Sequence, residues 1–137
     1  MKKSVLIQII RECIKESNEN EIDEKRFIVD KTKHKFQLFL GDILVTESGF
    51  NIVSPDKWFK QKYVIIHDLK TFKYFQKGQA QYLLERIFEY VKNELKLNII
   101  ALIVYKNNYL AMNLYFKSGF EIFMEYDDSY SLIKKLF

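Results

Sequence analysis

Phe75-Gln76-Lys77-Gly78-Gln79-Ala80 lies between an apolar run, Tyr63 to Leu69, and a long helical pattern beginning at Gln79. A glycine at such a strand-to-helix turn leaves several backbone N–H groups of the first helical turn pointing at one spot. That arrangement suits an anion such as a pyrophosphate, although by itself it equally describes a plain turn. About thirty residues later come Asn108-Tyr109-Leu110-Ala111 and Leu114-Tyr115-Phe116-Lys117-Ser118-Gly119-Phe120. Asn108 reads as a helix N-cap, because its short amide can accept from the exposed N–H groups of the turn that follows.

Outward from this stretch, Ala80, Leu83, Leu84, Ile87, Phe88, Val91 and Leu95 keep helical spacing, with Gln81, Glu85, Glu89 and Lys92 on the other side. Ile99 to Val104 reads as a buried strand, Asn108 to Lys117 as a short helix, and Gly119 as its stop. Phe120 to Tyr126 and Tyr130 to Leu136 are two further strands. On the N-terminal side, Phe27-Ile28-Val29 is a short strand. Phe36 to Leu40 turns through Gly41-Asp42 into Ile43 to Thr46, and Gly49 marks a bulge that lets this second strand continue to Val53. Val5, Leu6, Ile9, Ile10, Cys13 and Ile14 place a first amphipathic helix from Ser4 to about Glu16. The order of elements gives an α/β (α+β) chain, with a mixed sheet and helices packed on it.

At 137 residues, 48% hydrophobic and 16% aromatic, the chain has the length of one domain and the composition of a packed core. One cysteine excludes an intrachain disulfide, and His34 and His67 are too few and scattered for a zinc motif, so no metal is expected. The apolar run after Met1-Lys2-Lys3 is interrupted by Arg11 and Glu12, and no stretch approaches the roughly 20 apolar residues of a membrane span. A cytoplasmic protein without membrane contact is the expectation. The net charge is +4, but only Arg11, Arg26 and Arg86 are arginines, which argues against nucleic-acid recognition. Six lysines against Asp68 alone occupy Lys57 to Lys77, a basic run ending at the glycine turn.

The glycine turn and the Asn-x-x-Ala segment together resemble the GCN5-related N-acetyltransferase family, over roughly Tyr63 to Phe137. The turn pattern of that family is Gln/Arg-x-x-Gly-x-Gly/Ala; Gly78 and Ala80 match it, and Phe75 stands where Gln or Arg is usual. Asn108, Ala111, Tyr115, Gly119 and Phe120 occupy the second motif. The resemblance implies a mixed, mostly antiparallel sheet of about six to seven strands with helices on both faces. It implies one domain over residues 1–137, with an acceptor-side half of about 1–60 and an acetyl-CoA-binding half of about 61–137.

The co-substrate would be acetyl-CoA and the acceptor a primary amine on a small molecule, a peptide N-terminus or a lysine. Backbone groups of Leu69, Lys70 and Thr71, on a strand that splays from its neighbour, would hold the pantetheine arm. The N–H groups of Gln76, Lys77, Gly78, Gln79, Ala80 and Gln81 would cradle the pyrophosphate, and Asn108 and Ala111 would border the arm. Tyr115 is the catalytic candidate. A phenol of pKa about 10 stays neutral at pH 7 and can donate to a leaving thiolate whose conjugate acid lies near 8.5.

For the base that relieves the amine of its proton, His67, Asp68, Glu47 and a water relay all remain open. Regular strand alternation places His67 and Asp68 on opposite faces, so only one of them would meet the substrate. Cys13 reads as core rather than nucleophile, which leaves direct attack by the amine. The alternative is a non-catalytic module of the same fold that binds CoA or a protein partner, and the aromatic content would also allow a homodimer.

Overall fold

The computed structural model describes residues 25–72 and 78–137. Seven strands form one sheet: β1 (Lys25–Asp30), β2 (Lys35–Leu40), β3 (Ile43–Val53), β4 (Tyr63–Thr71), β5 (Ile99–Tyr105), β6 (Glu121–Glu125) and β7 (Ser129–Lys135). Their spatial order is β1-β2-β3-β4-β5-β7-β6, and every neighbouring pair is antiparallel except β4 and β5. A parallel pair needs a crossover, which helix α1 (Gln79–Asn93) supplies. The β2–β3 hairpin closes through Gly41-Asp42, with Gly41 at φ 59°, as a glycine-first two-residue turn requires.

Strand alternation sorts the apolar residues onto two faces. Val64 and Ile66 of β4 and Ile100, Leu102 and Val104 of β5 enter the main core, while Tyr63, Ile99 and Ala101 form a smaller cluster with Ile65 on the other face. Leu83, Leu84, Ile87 and Val91 of α1 are fully buried in the main core. Burial of each contributes roughly 1.5–3 kcal/mol, so packing holds α1 in place. Its N-terminus has no side-chain cap. Tyr115 of helix α2 (Tyr109–Lys117) and Phe120 join the same cluster, so both described helices cover one face of the sheet. The expected helix from Ser4 to about Glu16 lies outside the described residues.

On the second face a loop folds back over β4. Asp56 accepts from the backbone N–H groups of Trp58 (2.8 Å) and Phe59 (3.0 Å) and from the Tyr63 hydroxyl (2.6 Å). This seats the Phe59 ring 4.8 Å from that of Tyr63.

The irregularity expected at Gly49 is present, but the extra residue lies in the opposite strand. Glu47 pairs with Lys70 and Gly49 with His67, so Ser48 alone faces both Asp68 and Leu69. The bulge therefore belongs to β4, and Asp68 takes it up at φ 53°. Gly49 serves a different purpose: a Cβ there would overlap the His67 imidazole. Glycine in this strand marks close approach of a ring to the backbone.

Candidate functional site

Below the bulge, β4 keeps β3 and leaves β5. Thr46 Oγ1 donates to the Lys70 carbonyl (2.8 Å), Phe72 N–H donates to the Val45 carbonyl (3.0 Å), and Ser48 Oγ donates to the His67 carbonyl (3.1 Å). Pairing with β5 is confined to Val64 with Ile100 and Ile65 with Ala101. From Ile66 onward the β5-facing edge of β4 has no strand partner among the described residues, and Leu69, Lys70 and Thr71 lie on this freed segment. An edge of unpaired peptide groups inside a sheet is a template for an extended ligand carrying amides.

Four residues of the expected cradle, Gly78, Gln79, Ala80 and Gln81, are described; Gln76, Lys77, Lys73 and Phe75 fall outside the described residues. Gly78 stands at φ 100° immediately before α1, a conformation that glycine adopts at little cost. The first helical bond runs from Tyr82 N–H to the Gly78 carbonyl (2.9 Å), so the N–H groups of Gln79, Ala80 and Gln81 point out of the helix end. No acidic residue occupies that first turn, and among the described residues a Cβ on Gly78 would meet nothing within 4 Å. The end of α1 is thus electropositive, as an incoming phosphate requires.

Asn108 caps α2 as expected: its Oδ1 accepts from Ala111 N–H (3.2 Å), which leaves the amide N–H₂ free to donate. At the other end, Gly119 at φ 94° closes the helix. Phe120 N–H bonds the Tyr115 carbonyl (3.0 Å) and Gly119 N–H bonds the Phe116 carbonyl (3.1 Å), the Schellman arrangement. The Tyr115 and Phe120 rings meet edge to face at 5.6 Å. The Tyr-x-x-x-Gly-Phe spacing therefore has an architectural purpose alongside any chemical one.

Tyr115 is 8% exposed, and burial pushes its phenol up to about 12. It is protonated throughout the physiological range. Full transfer of its proton to a thiolate whose conjugate acid lies near 8.5 would be uphill by roughly 5 kcal/mol, which suits it to donate a hydrogen bond as the thiolate develops.

The second face carries an open cavity of about 760 Å³, and all three residues considered as bases line it: Glu47, His67 and Asp68. This corrects the expectation that His67 and Asp68 point to opposite faces. Strict alternation fails at a bulge, and with Asp68 in the left-handed region its carboxylate returns to the side of the ring. His67 Nδ1–H donates to Asp68 Oδ2 at 2.9 Å.

Glu47, 6% exposed, is already committed to other partners. It accepts from Lys35 Nζ (3.2 Å), Gln37 Nε2 (3.3 Å) and Lys70 Nζ (3.4 Å). Burial alone would push its carboxyl up, but the bonds from Gln37 and Lys35, the Lys35 charge and the bond from Lys70 outweigh burial and hold it below the usual carboxylate range. Lys35, Gln37 and Asn51 were not legible as neighbours of this site, because register across three strands places them there. Among the described residues no group of three or more His, Cys, Asp or Glu is placed to hold a metal ion, and no helix is long and apolar enough to cross a membrane.

The chain is similar to the N-acetyltransferase PseH of Campylobacter jejuni, at 28% identity and a TM-score of 0.61 over 77% of this chain and 70% of that one. The same enzyme in complex with acetyl coenzyme A matches at 26% identity, a TM-score of 0.62 and the same coverage. PH1933 from Pyrococcus horikoshii OT3 matches at 28% identity and a TM-score of 0.62, over 74% of this chain and 64% of that one. A GNAT-family acetyltransferase from Bacillus anthracis, at 22% identity and a TM-score of 0.61 over 75% of this chain and 66% of that one, shares the fold. No family model and no curated protein matches the chain.

Proposed function

We propose that this chain, which folds as the GCN5-related N-acetyltransferases do, transfers an acetyl group from acetyl-CoA directly to a primary amine. One observation carries the reading: among the described residues β4 and β5 part after two residue pairs, and the helix that follows β4 begins without a side-chain cap. The freed segment at Leu69, Lys70 and Thr71 offers peptide groups to the pantetheine arm. The N–H groups from Gln76 to Gln81 receive the pyrophosphate, and Asn108 and Ala111 border the arm from α2. PseH, whose structure includes a complex with acetyl coenzyme A, lends support to that donor.

In this reading residues 61–137 hold the donor and the N-terminal half, about 1–60, faces the acceptor, within one cytoplasmic domain. The amine nitrogen forms a bond to the thioester carbonyl carbon as the C=O electron pair moves to oxygen. Collapse of that adduct breaks the C–S bond, and sulfur leaves with the pair. The Tyr115 hydroxyl donates to the departing sulfur as the catalytic acid. Holding amine and thioester together supplies most of the acceleration, since alignment of two reactants accounts for about 7–11 kcal/mol in favourable cases.

The test is a calorimetric titration of the purified protein with acetyl-CoA, run beside Gly78→Ala and Gly78→Glu. Both variants strain the φ 100° backbone equally, and only the second sets a carboxylate against the pyrophosphate. Saturable binding that survives Gly78→Ala and is lost in Gly78→Glu supports the donor site. Binding without thiol release over a broad amine panel would instead point to a non-catalytic CoA-binding module.

A further inference from the structure

We propose that His67 Nε2 is the general base that takes the proton of the acceptor amine, with Asp68 as the residue that positions its ring. The inference rests on the acetyl-transfer reading and names a group which that reading leaves open. Three independent features converge on this imidazole. A carboxylate can only accept, so the 2.9 Å contact with Asp68 places the ring proton on Nδ1 and leaves the Nε2 lone pair exposed. Among the described residues the only hydrogen-bonding group at Nε2 is the Asn51 amide at 3.4 Å, a long contact that an incoming amine can replace. Both devices that hold the pair are locally unusual. Asp68 is one of three non-glycine residues with positive φ among the described residues, and the ring lies where any residue but glycine at position 49 would collide with it.

Backbone strain and a forced glycine at a cavity wall are the signature of a group held for a task. The two rival carboxylates are otherwise occupied. Glu47 is bonded to two ammonium groups and an amide, and Asp68 is bonded to His67 itself. The charged and titratable groups facing the ring are Asp68 and Lys70 from β4, Glu47 from β3 and Lys35 from β2. Lys33 and His34, from the β1–β2 turn, complete the set among the described residues.

The proton balance closes without a further reagent. The acceptor enters as an ammonium ion and gives one proton to His67 Nε2, which frees its lone pair for attack. After C–N bond formation, sulfur departs with the C–S electron pair, held by a hydrogen bond from the Tyr115 hydroxyl, and the adduct nitrogen's second proton reaches it through that hydroxyl without leaving the phenol ionised. The imidazolium gives its proton to water. One amide, one thiol and one proton result.

Two readouts test this. The first needs no substrate: nitrogen NMR of the imidazole in the full chain is expected to show the Nδ1–H tautomer for neutral His67. Asp68→Asn should erase that preference. An Nε2–H tautomer in the wild type overturns the proposal. The second compares thiol release from acetyl-CoA with two probe amines, benzylamine, an ammonium ion at pH 7, and methoxyamine, neutral there. His67→Gln should lower kcat/KM for benzylamine about 100-fold and for methoxyamine less than about threefold, with acetyl-CoA binding retained. It should also abolish the acidic limb of the pH–rate profile, whereas His34→Gln leaves that limb in place. Equal losses for the two amines, or an unchanged profile, would sink the base while leaving acetyl transfer intact. Donor binding without thiol release from either probe, or from a wider amine panel, overturns acetyl transfer itself and the base with it.

Discussion

The two faces of the sheet are built from the same strands by opposite rules. The helix-covered face is apolar and closed: Leu38, Val64, Ile100 and Leu132 are fully buried there, together with Leu83, Leu84 and Ile87 of α1. The opposite face alternates with it residue by residue, yet over β2–β4 it presents Lys35, Glu47, His67 and Lys70 around an open cavity. A strand with one face sealed has its register set by that face. The chain can therefore carry a strained, charged arrangement on the other face without losing the fold. Stability and chemistry are separated by half a strand repeat, and only Tyr115, buried among the core residues yet proposed to act on sulfur, crosses the division.

That separation can be broken by experiment. Leu84→Ala should have the largest effect, a loss of about 2–5 kcal/mol in urea unfolding, because a fully buried side chain leaves a cavity between α1 and the sheet. If turnover of the folded protein at low temperature falls as well, the faces are less independent than the contacts imply. Tyr115→Phe sharpens the same point from the other side. Turnover should drop about 100-fold, roughly 2.7 kcal/mol, with acetyl-CoA affinity held and the Phe120 ring contact kept. Undiminished turnover would return Tyr115 wholly to the core.

A pH series reads the same residue in the fold. Tyr63 and Tyr115 are both raised to about 12, Tyr63 by burial and then by its bond to Asp56, Tyr115 by burial. Unfolded tyrosine ionises near 10, so the unfolded chain loses its protons first. Stability present below pH 10 should fall between pH 10 and 12. Tyr115 contributes roughly 2–3 kcal/mol of that loss, and Tyr115→Phe should remove its share. The smallest effect expected is Asn108→Ala, which deletes the α2 cap at a cost of about 1 kcal/mol. A larger loss of acetyl-CoA affinity than of stability in that variant would separate a ligand contact from the cap.

Much of the proposed donor side was legible in the sequence. Gly78 announced a strand-to-helix turn, Asn108 a cap, and Gly119-Phe120 a helix stop, because each follows from contacts within a few residues along the chain. The seven apolar positions of the Gln79 to Leu95 pattern, with their 3.6-residue period, located α1 to within two residues of its observed end. The proposed acceptor side was read less well. Gly49 was assigned a bulge that belongs to β4, and His67 and Asp68 were separated by an alternation rule that holds only for regular strands.

Among the described residues, the amino-acid sequence by itself determined which segments are helix or strand, where the turns fall and which residues are apolar enough to be buried. Those properties depend on local sterics and on periodicity, and each is written within one element. Tertiary structure alone decided the parting of β4 from β5, the commitment of Glu47 to two lysines from other strands, and the return of Asp68 to the His67 ring. Each of these depends on how one strand's register meets that of its neighbour. A shift of a single residue, as in β4, reverses the face to which a side chain points.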